Sequence, residues 1–111
     1  MKHLTYAEKS LLVGDDAADL VLEYASALSN RGVSDTVELN AFGADGGEVV
    51  ATLLLGQGAP VMAESTVTSM AALDNSDTVA YIRGRLDEFA SPPEAQPESV
   101  DVTSEGDSDY L

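Results

Sequence analysis

Between Thr36 and Leu55 the apolar side chains recur at every second position. Val37, Leu39 and Ala41 precede the run Gly43-Ala44-Asp45-Gly46-Gly47, and Val49, Ala51, Leu53 and Leu55 follow it. A period of two is the spacing of one face of a β-strand. Asp-Gly between two such runs is a favoured hairpin dipeptide, because the turn needs positive φ. An antiparallel pair is therefore expected here, and the rest of the chain must cover its apolar face. In the second run, Glu48 to Leu55, the alternate positions hold Val50, Thr52 and Leu54. Apolar residues on both faces fit a central strand covered on both sides, or a strand that forms part of an interface.

On both flanks the apolar period becomes that of a helix. Leu20, Tyr24 and Leu28 fall on one face, flanked by Val21 and Ala25, with Asp15 or Asp16 as cap, Arg31 near the end and Gly32 just after it. A second helix, capped by Asp74 or Ser76, carries Val79, Ile82, Leu86 and Phe89 at helical spacing. Gly84 inside it costs about 1 kcal/mol relative to alanine, and reads as the mark of a close backbone approach. Leu11 to Val13 is a short buried strand, the second arm of a small hairpin with His3 to Tyr6 that turns near Ala7 and Glu8. Val61 to Val67 is a weaker strand. The expected fold class is α+β in the order β-α-β-β-β-α, a small, mainly antiparallel sheet with both helices on one face. Hairpin connections favour antiparallel pairing, and two helix stripes need one common apolar surface.

A chain of 111 residues accommodates one domain with a modest core, placed at residues 1–90. From Ser91 the sequence reads SPPEAQPESVDVTSEGDSDYL, with Pro92, Pro93 and Pro97, six acids and no base. Such a segment cannot repay its ordering entropy, so residues 91–111 are expected to form a disordered acidic tail. The whole chain has 20 acidic against 5 basic residues, a formal charge of −15. Setting the six tail acids aside leaves fourteen acids against the same five bases, so the folded part is acidic in its own right. That charge repels phosphate backbones and anionic lipid, and neither direct nucleic-acid nor membrane binding is expected. There is no cysteine, hence no disulfide, thiol nucleophile or zinc–thiolate cluster. Near the N-terminus only Leu11 to Gly14 is continuously apolar, too short for a signal peptide or a membrane span. The expected location is cytoplasmic.

Motifs for chemistry are sparse. Gly56-Gln57-Gly58 follows a strand, as the dinucleotide fingerprint requires, but Val61 holds the third glycine position and Pro60 interrupts. These glycines are read as a turn. Asp15, Asp19 and Glu23 share a helix face, which suits a helix N-terminus through its dipole. Neither they nor Asp74-Asn75-Ser76-Asp77-Thr78 have a calcium-loop pattern, because Val79 and Arg85 occupy its sixth and twelfth positions. His3 lies at the frayed end of the chain, and no GxSxG elbow is present. Arg83 and Arg85 sit near the end of the second helix, within reach of Asp87 and Glu88. No catalytic residue, metal ligand or cofactor site is assigned, and the chain is not expected to be an enzyme.

Lys9-Ser10-Leu11-Leu12-Val13-Gly14-Asp15, Met62-Ala63-Glu64-Ser65-Thr66 and Asp74-Asn75 resemble segments of small, acidic, alanine-rich bacterial proteins from high-GC genomes. The resemblance covers residues 3–89 and implies no activity, ligand or site. The residues themselves point to a non-catalytic interaction or regulatory module acting on another protein. Val50 and Leu54, on the face opposite Leu53 and Leu55, form the candidate surface, with a second copy of the chain as one candidate partner. Tyr110 and Leu111 end the tail as an apolar pair after an acidic run, a form that a partner groove can read. One alternative is an acidic nucleic-acid mimic that occupies a basic DNA-binding protein. Another is a small-ligand or metal-binding domain, which needs a deep pocket with convergent polar groups.

Overall fold

A computed structural model describes residues 1–90; the expected tail, with Tyr110 and Leu111, lies outside the described residues. Five strands and two helices follow in the order β1 (Lys2–Tyr6), β2 (Lys9–Val13), α1 (Asp15–Arg31), β3 (Ser34–Phe42), β4 (Glu48–Gly56), β5 (Val61–Ser65) and α2 (Ser76–Ala90). The fold is α+β with an all-antiparallel sheet, as the alternation of apolar residues predicts. The leading strand of the expected order is a hairpin, β1–β2, which turns at Ala7 and Glu8 with Ala7 at φ 55°.

The strands are arranged β4-β3-β2-β1-β5. This corrects the reading of Glu48 to Leu55 as a central strand: among the described residues β4 is an edge strand, paired only with β3, from Ser34↔Gly56 to Phe42↔Glu48. Apolar residues on both faces of a strand do not by themselves distinguish a covered strand from an exposed one. The two edge strands, β4 and β5, are joined by residues 57–60 alone. A flat sheet of five strands would hold its edges roughly 19 Å apart. The link begins with a turn in which Ala59 N–H donates to the Gly56 carbonyl at 3.2 Å, so it spans about 15 Å at most. The sheet must therefore curl, and Tyr6 of β1 reaches over to donate its hydroxyl to the Leu54 carbonyl of β4 at 2.5 Å.

β2 ends at Val13, where the chain turns into α1, so it covers only one end of β3. β2 and β3 meet at the single pair Leu12↔Phe42, and most of that edge of β3 has no strand partner among the described residues. The segment leading into α2 and the helix's first turn take the strand's place. Asn40 N–H donates to Asn75 Oδ1 at 2.7 Å, Asn75 Nδ2 returns to the Asn40 carbonyl at 2.9 Å, and the Thr78 hydroxyl donates to the Glu38 carbonyl at 2.6 Å. Backbone groups on that stretch of β3 are thus paired by side chains in place of a neighbouring strand.

Leu4, Val13, Val37, Leu39, Ala41, Leu53 and Leu55 from the sheet meet Ala17, Ala18, Val21, Tyr24 and Leu28 of α1 and Ile82 of α2 in one core. Leu20, placed on the apolar stripe by sequence, is half-buried, because the buried stripe of α1 runs one position over, through Ala17, Val21, Tyr24 and Leu28. Neither Asp15 nor Asp16 caps α1: the cap position is Gly14, without a side-chain hydrogen bond, and the two acids occupy the first turn. At α2 the Asp74 carboxylate does accept the Ser76 N–H, at 2.9 Å. β5 ends at Ser65, two residues short of the expected Val67. No helix among the described residues is long and apolar enough to cross a membrane.

Among the described residues Gly84 is not a point of close approach, since a Cβ there would meet none of them within 4 Å. Its replacement by alanine removes a helix-interior glycine at no steric cost and is expected to raise stability by about 0.5–1 kcal/mol. Ile82, two residues away, is fully buried, and Ile82→Ala should lower stability by about 2–5 kcal/mol. Urea unfolding of both variants checks the pair; equal and opposite placement of the two residues would give the reverse order.

Candidate functional site

The two glycine clusters are turns. In the β3–β4 loop Gly43 N–H donates to the Gly47 carbonyl at 2.8 Å, and Gly46, at φ 83°, closes back on Gly43. In the β4–β5 loop Gly56, Gln57 and Gly58 have φ of 110°, 59° and 75°. Gly58 N–H donates to the Ser29 hydroxyl at 3.0 Å. Gly56 is needed for space as well as conformation, because a Cβ would lie 2.4 Å from the Val33 carbonyl oxygen.

The acidic face of α1 is engaged with nearby cations. The N-terminal ammonium lies 3.0 Å from Asp15, and Lys2 Nζ lies 2.6 Å from Asp19. Among the described residues no group of three or more histidine or acidic side chains converges where it could hold a metal ion. His3 belongs to β1, paired with Leu12 and Glu64, so it is not frayed.

A polar cluster that the sequence did not disclose forms where α1, β3 and α2 meet. Tyr24 donates to Asp35 at 2.5 Å, Tyr81 donates to the same carboxylate oxygen, and Arg85 Nε donates to the Tyr24 hydroxyl at 3.2 Å. Burial alone would push the Asp35 carboxyl up, but the hydrogen bonds from Tyr24, Tyr81 and the Thr36 N–H, with the Arg85 charge, hold it below its usual value. Tyr24 is pushed well above the ordinary phenol range, first by burial and then by the adjacent carboxylate. Phe89 extends the cluster: it stacks on Tyr24 at 6.2 Å, and the Arg31 and Arg85 guanidinium groups lie 4.3 and 5.0 Å from its centroid. Arg85 also pairs with Glu88 at 2.7 Å, as its spacing predicts. This arrangement docks α2; the carboxylate and both phenols are occupied with one another.

The residues singled out for interaction are exposed, Val50 by 66% and Leu54 by 56%. The direction of the β4 backbone follows from its partner strand. The carbonyl of Glu38 and both backbone groups of Asn40 point toward α2, hence away from β4. Their partners Thr52 and Val50 accordingly sit in non-hydrogen-bonded pairs and turn their own N–H and C=O groups outward. The Leu54 carbonyl, with the same parity, is the one that Tyr6 takes.

Beside this edge lies a cleft of about 640 Å³, bounded by Tyr6–Leu11 of the β1–β2 turn, Gly43–Asp45 and Val49–Leu53 of β4. Successive side chains of a strand point to opposite faces, so five consecutive residues of β4 line the cleft because it runs along the strand's edge. Its inner wall is apolar, from Leu11, Ala51 and Leu53, and Glu8, Lys9 and Asp45 stand at its rim.

Two outcomes test these geometries. The depressed Asp35 carboxyl contributes stability above its unfolded value of about 3.9, and that contribution is lost as pH falls through the lower folded value. Wild type should thus lose stability more steeply than Asp35→Asn below about pH 4, read as urea midpoints across acid pH. In hydrogen exchange, the amides of Val50 and Thr52 should exchange rapidly while those of Val49, Ala51 and Leu53, paired to β3, stay protected. Comparison with protein-family models, with curated proteins and with solved structures gave no match.

Proposed function

We propose that this chain is a non-catalytic protein-interaction module that accepts an extended segment of another protein along the free edge of β4. The observation that carries the reading is Val50 and Leu54, exposed by 66% and 56% on a nine-residue edge strand. Edge strands are ordinarily shortened, bulged, charged or covered, because their unpaired N–H and C=O groups pair with any available strand. β4 is long, and between Glu48 and Gly56 it bears no charge. An edge of this kind supplies affinity through its backbone and specificity through alternate side-chain positions. In this reading the Tyr24–Asp35–Tyr81 cluster serves the scaffold, and the acidic surface serves solubility and partner selection.

A second copy is the other occupant that β4 accepts. Antiparallel pairing about a two-fold axis at Thr52 would set Val50 of each copy opposite Leu54 of the other, a self-complementary register. Against it, each copy carries a formal −15, and Tyr6 already covers the Leu54 end of the edge. A partner of different charge is favoured.

Selection of random displayed peptides on the intact chain, with sedimentation equilibrium of the chain alone, tests the reading. Peptides should be recovered, and Val50→Lys with Leu54→Lys should weaken them about tenfold or more, equivalent to 1.4 kcal/mol, without altering the melting temperature. A chain that stays monomeric and retains no peptide, or that binds equally well with both lysines in place, refutes it.

A further inference from the structure

The charged residues around the β4 cleft are mostly acidic. Glu8 and Asp45 line the cleft against one base, Lys9; Glu48, next to the lining residue Val49, adds a third acid, and all four are exposed. We infer that the cleft takes a segment in which apolar residues alternate with lysine or arginine. The inference rests on the interaction reading above and names the partner's chemistry.

The backbone requirement comes from the outward-facing groups at Glu48, Val50 and Thr52, with the edge closed beyond them by the Tyr6 hydroxyl on the Leu54 carbonyl. That leaves hydrogen-bonding rungs for a strand of about five residues, or roughly 16 Å at strand rise. The side-chain requirement follows from the pleat. Alternate residues of the added strand point inward, to the wall of Leu11, Ala51 and Leu53, where the cleft volume of about 640 Å³ is within the usual size of a binding site. The intervening residues point outward, beside Glu48, Val50 and Thr52, where long cationic side chains can lie over Val50 and reach the rim carboxylates.

Charge also decides against the acidic occupants. The chain's own residues 91–111 carry six acids and no base, and a second copy brings a formal −15; both are repelled by a rim of net negative charge. Exposed ion pairs are individually weak, at about 0–1 kcal/mol each. The ladder and apolar burial therefore set affinity, while the rim sets preference and association rate.

The test uses the intact chain and fluorescent peptides of alternating valine and lysine, alternating valine and glutamate, and the lysine peptide with its central amides N-methylated. Fluorescence anisotropy should show the lysine peptide binding at least about tenfold more tightly than the glutamate one, a difference of 1.4 kcal/mol, and weakening as salt is raised. N-methylation should abolish binding, and Glu8→Lys with Glu48→Lys should remove or reverse the preference. Bound lysine peptide should protect the Val50 and Thr52 amides from exchange. Equal binding of the two charged peptides, or binding that leaves those amides unprotected, overturns the inference. If neither peptide binds while displayed peptides of other composition do, the charge rule falls and the interaction reading stands; if nothing binds at all, both fall.

Discussion

The short link between the two edge strands is the constraint from which the other features of this molecule follow. Residues 57–60 must connect β4 to β5, although three strands lie between them in the sheet, and a chain that short cannot cross a flat sheet of that width. Curling the sheet is the geometric solution. It brings Tyr6 over the Leu54 carbonyl and leaves a cleft beside β4. Gly56 stands at the start of the link, where a Cβ would run into the Val33 carbonyl and Leu28 of α1, so any side chain there would push the link away from the core.

The open edge of β3 and the Asp35 carboxylate are met by different kinds of group. The opened edge of β3 is satisfied by the amide of Asn75 and the hydroxyl of Thr78, and the half-buried Asp35 by two phenols and a backbone N–H. Polar groups removed from water need such partners, since an unmade hydrogen bond costs about 1–3 kcal/mol. α2 therefore combines apolar burial of Ile82 with closure of the edge that the sheet leaves open. Among the described residues no side chain takes the outward backbone groups of Val50 and Thr52 in the same way.

Much of this architecture was legible from residue spacing. The period-two runs on either side of Gly43 to Gly47 became the β3–β4 hairpin, and the stripe through Tyr24 and Leu28 became the buried face of α1. The exposure of Val50 and Leu54 was also anticipated as one of two readings of β4. Spacing could not choose between them, because the same alternation describes a strand covered on both sides and one that is bare on its outer face. The Tyr24–Asp35–Tyr81–Arg85 cluster left no trace in the pattern: Tyr24 reads as a core residue and Asp35 as the polar start of a strand. Gly84 shows the opposite error, for a helix-interior glycine suggested close packing where none of the described residues would meet a Cβ within 4 Å.

The sequence by itself determined which segments are helix and strand, where they turn, and that the chain is acidic throughout, since these depend on local periodicity, glycine conformation and composition. Only the tertiary structure decided the strand order, the edge position of β4, the direction of its unpaired backbone and the cleft between it and the β1–β2 turn. Those features depend on which distant segments share an edge. Pairing partners are chosen by the length of connections and by burial summed over the whole core, and neither is written at any single position of the chain.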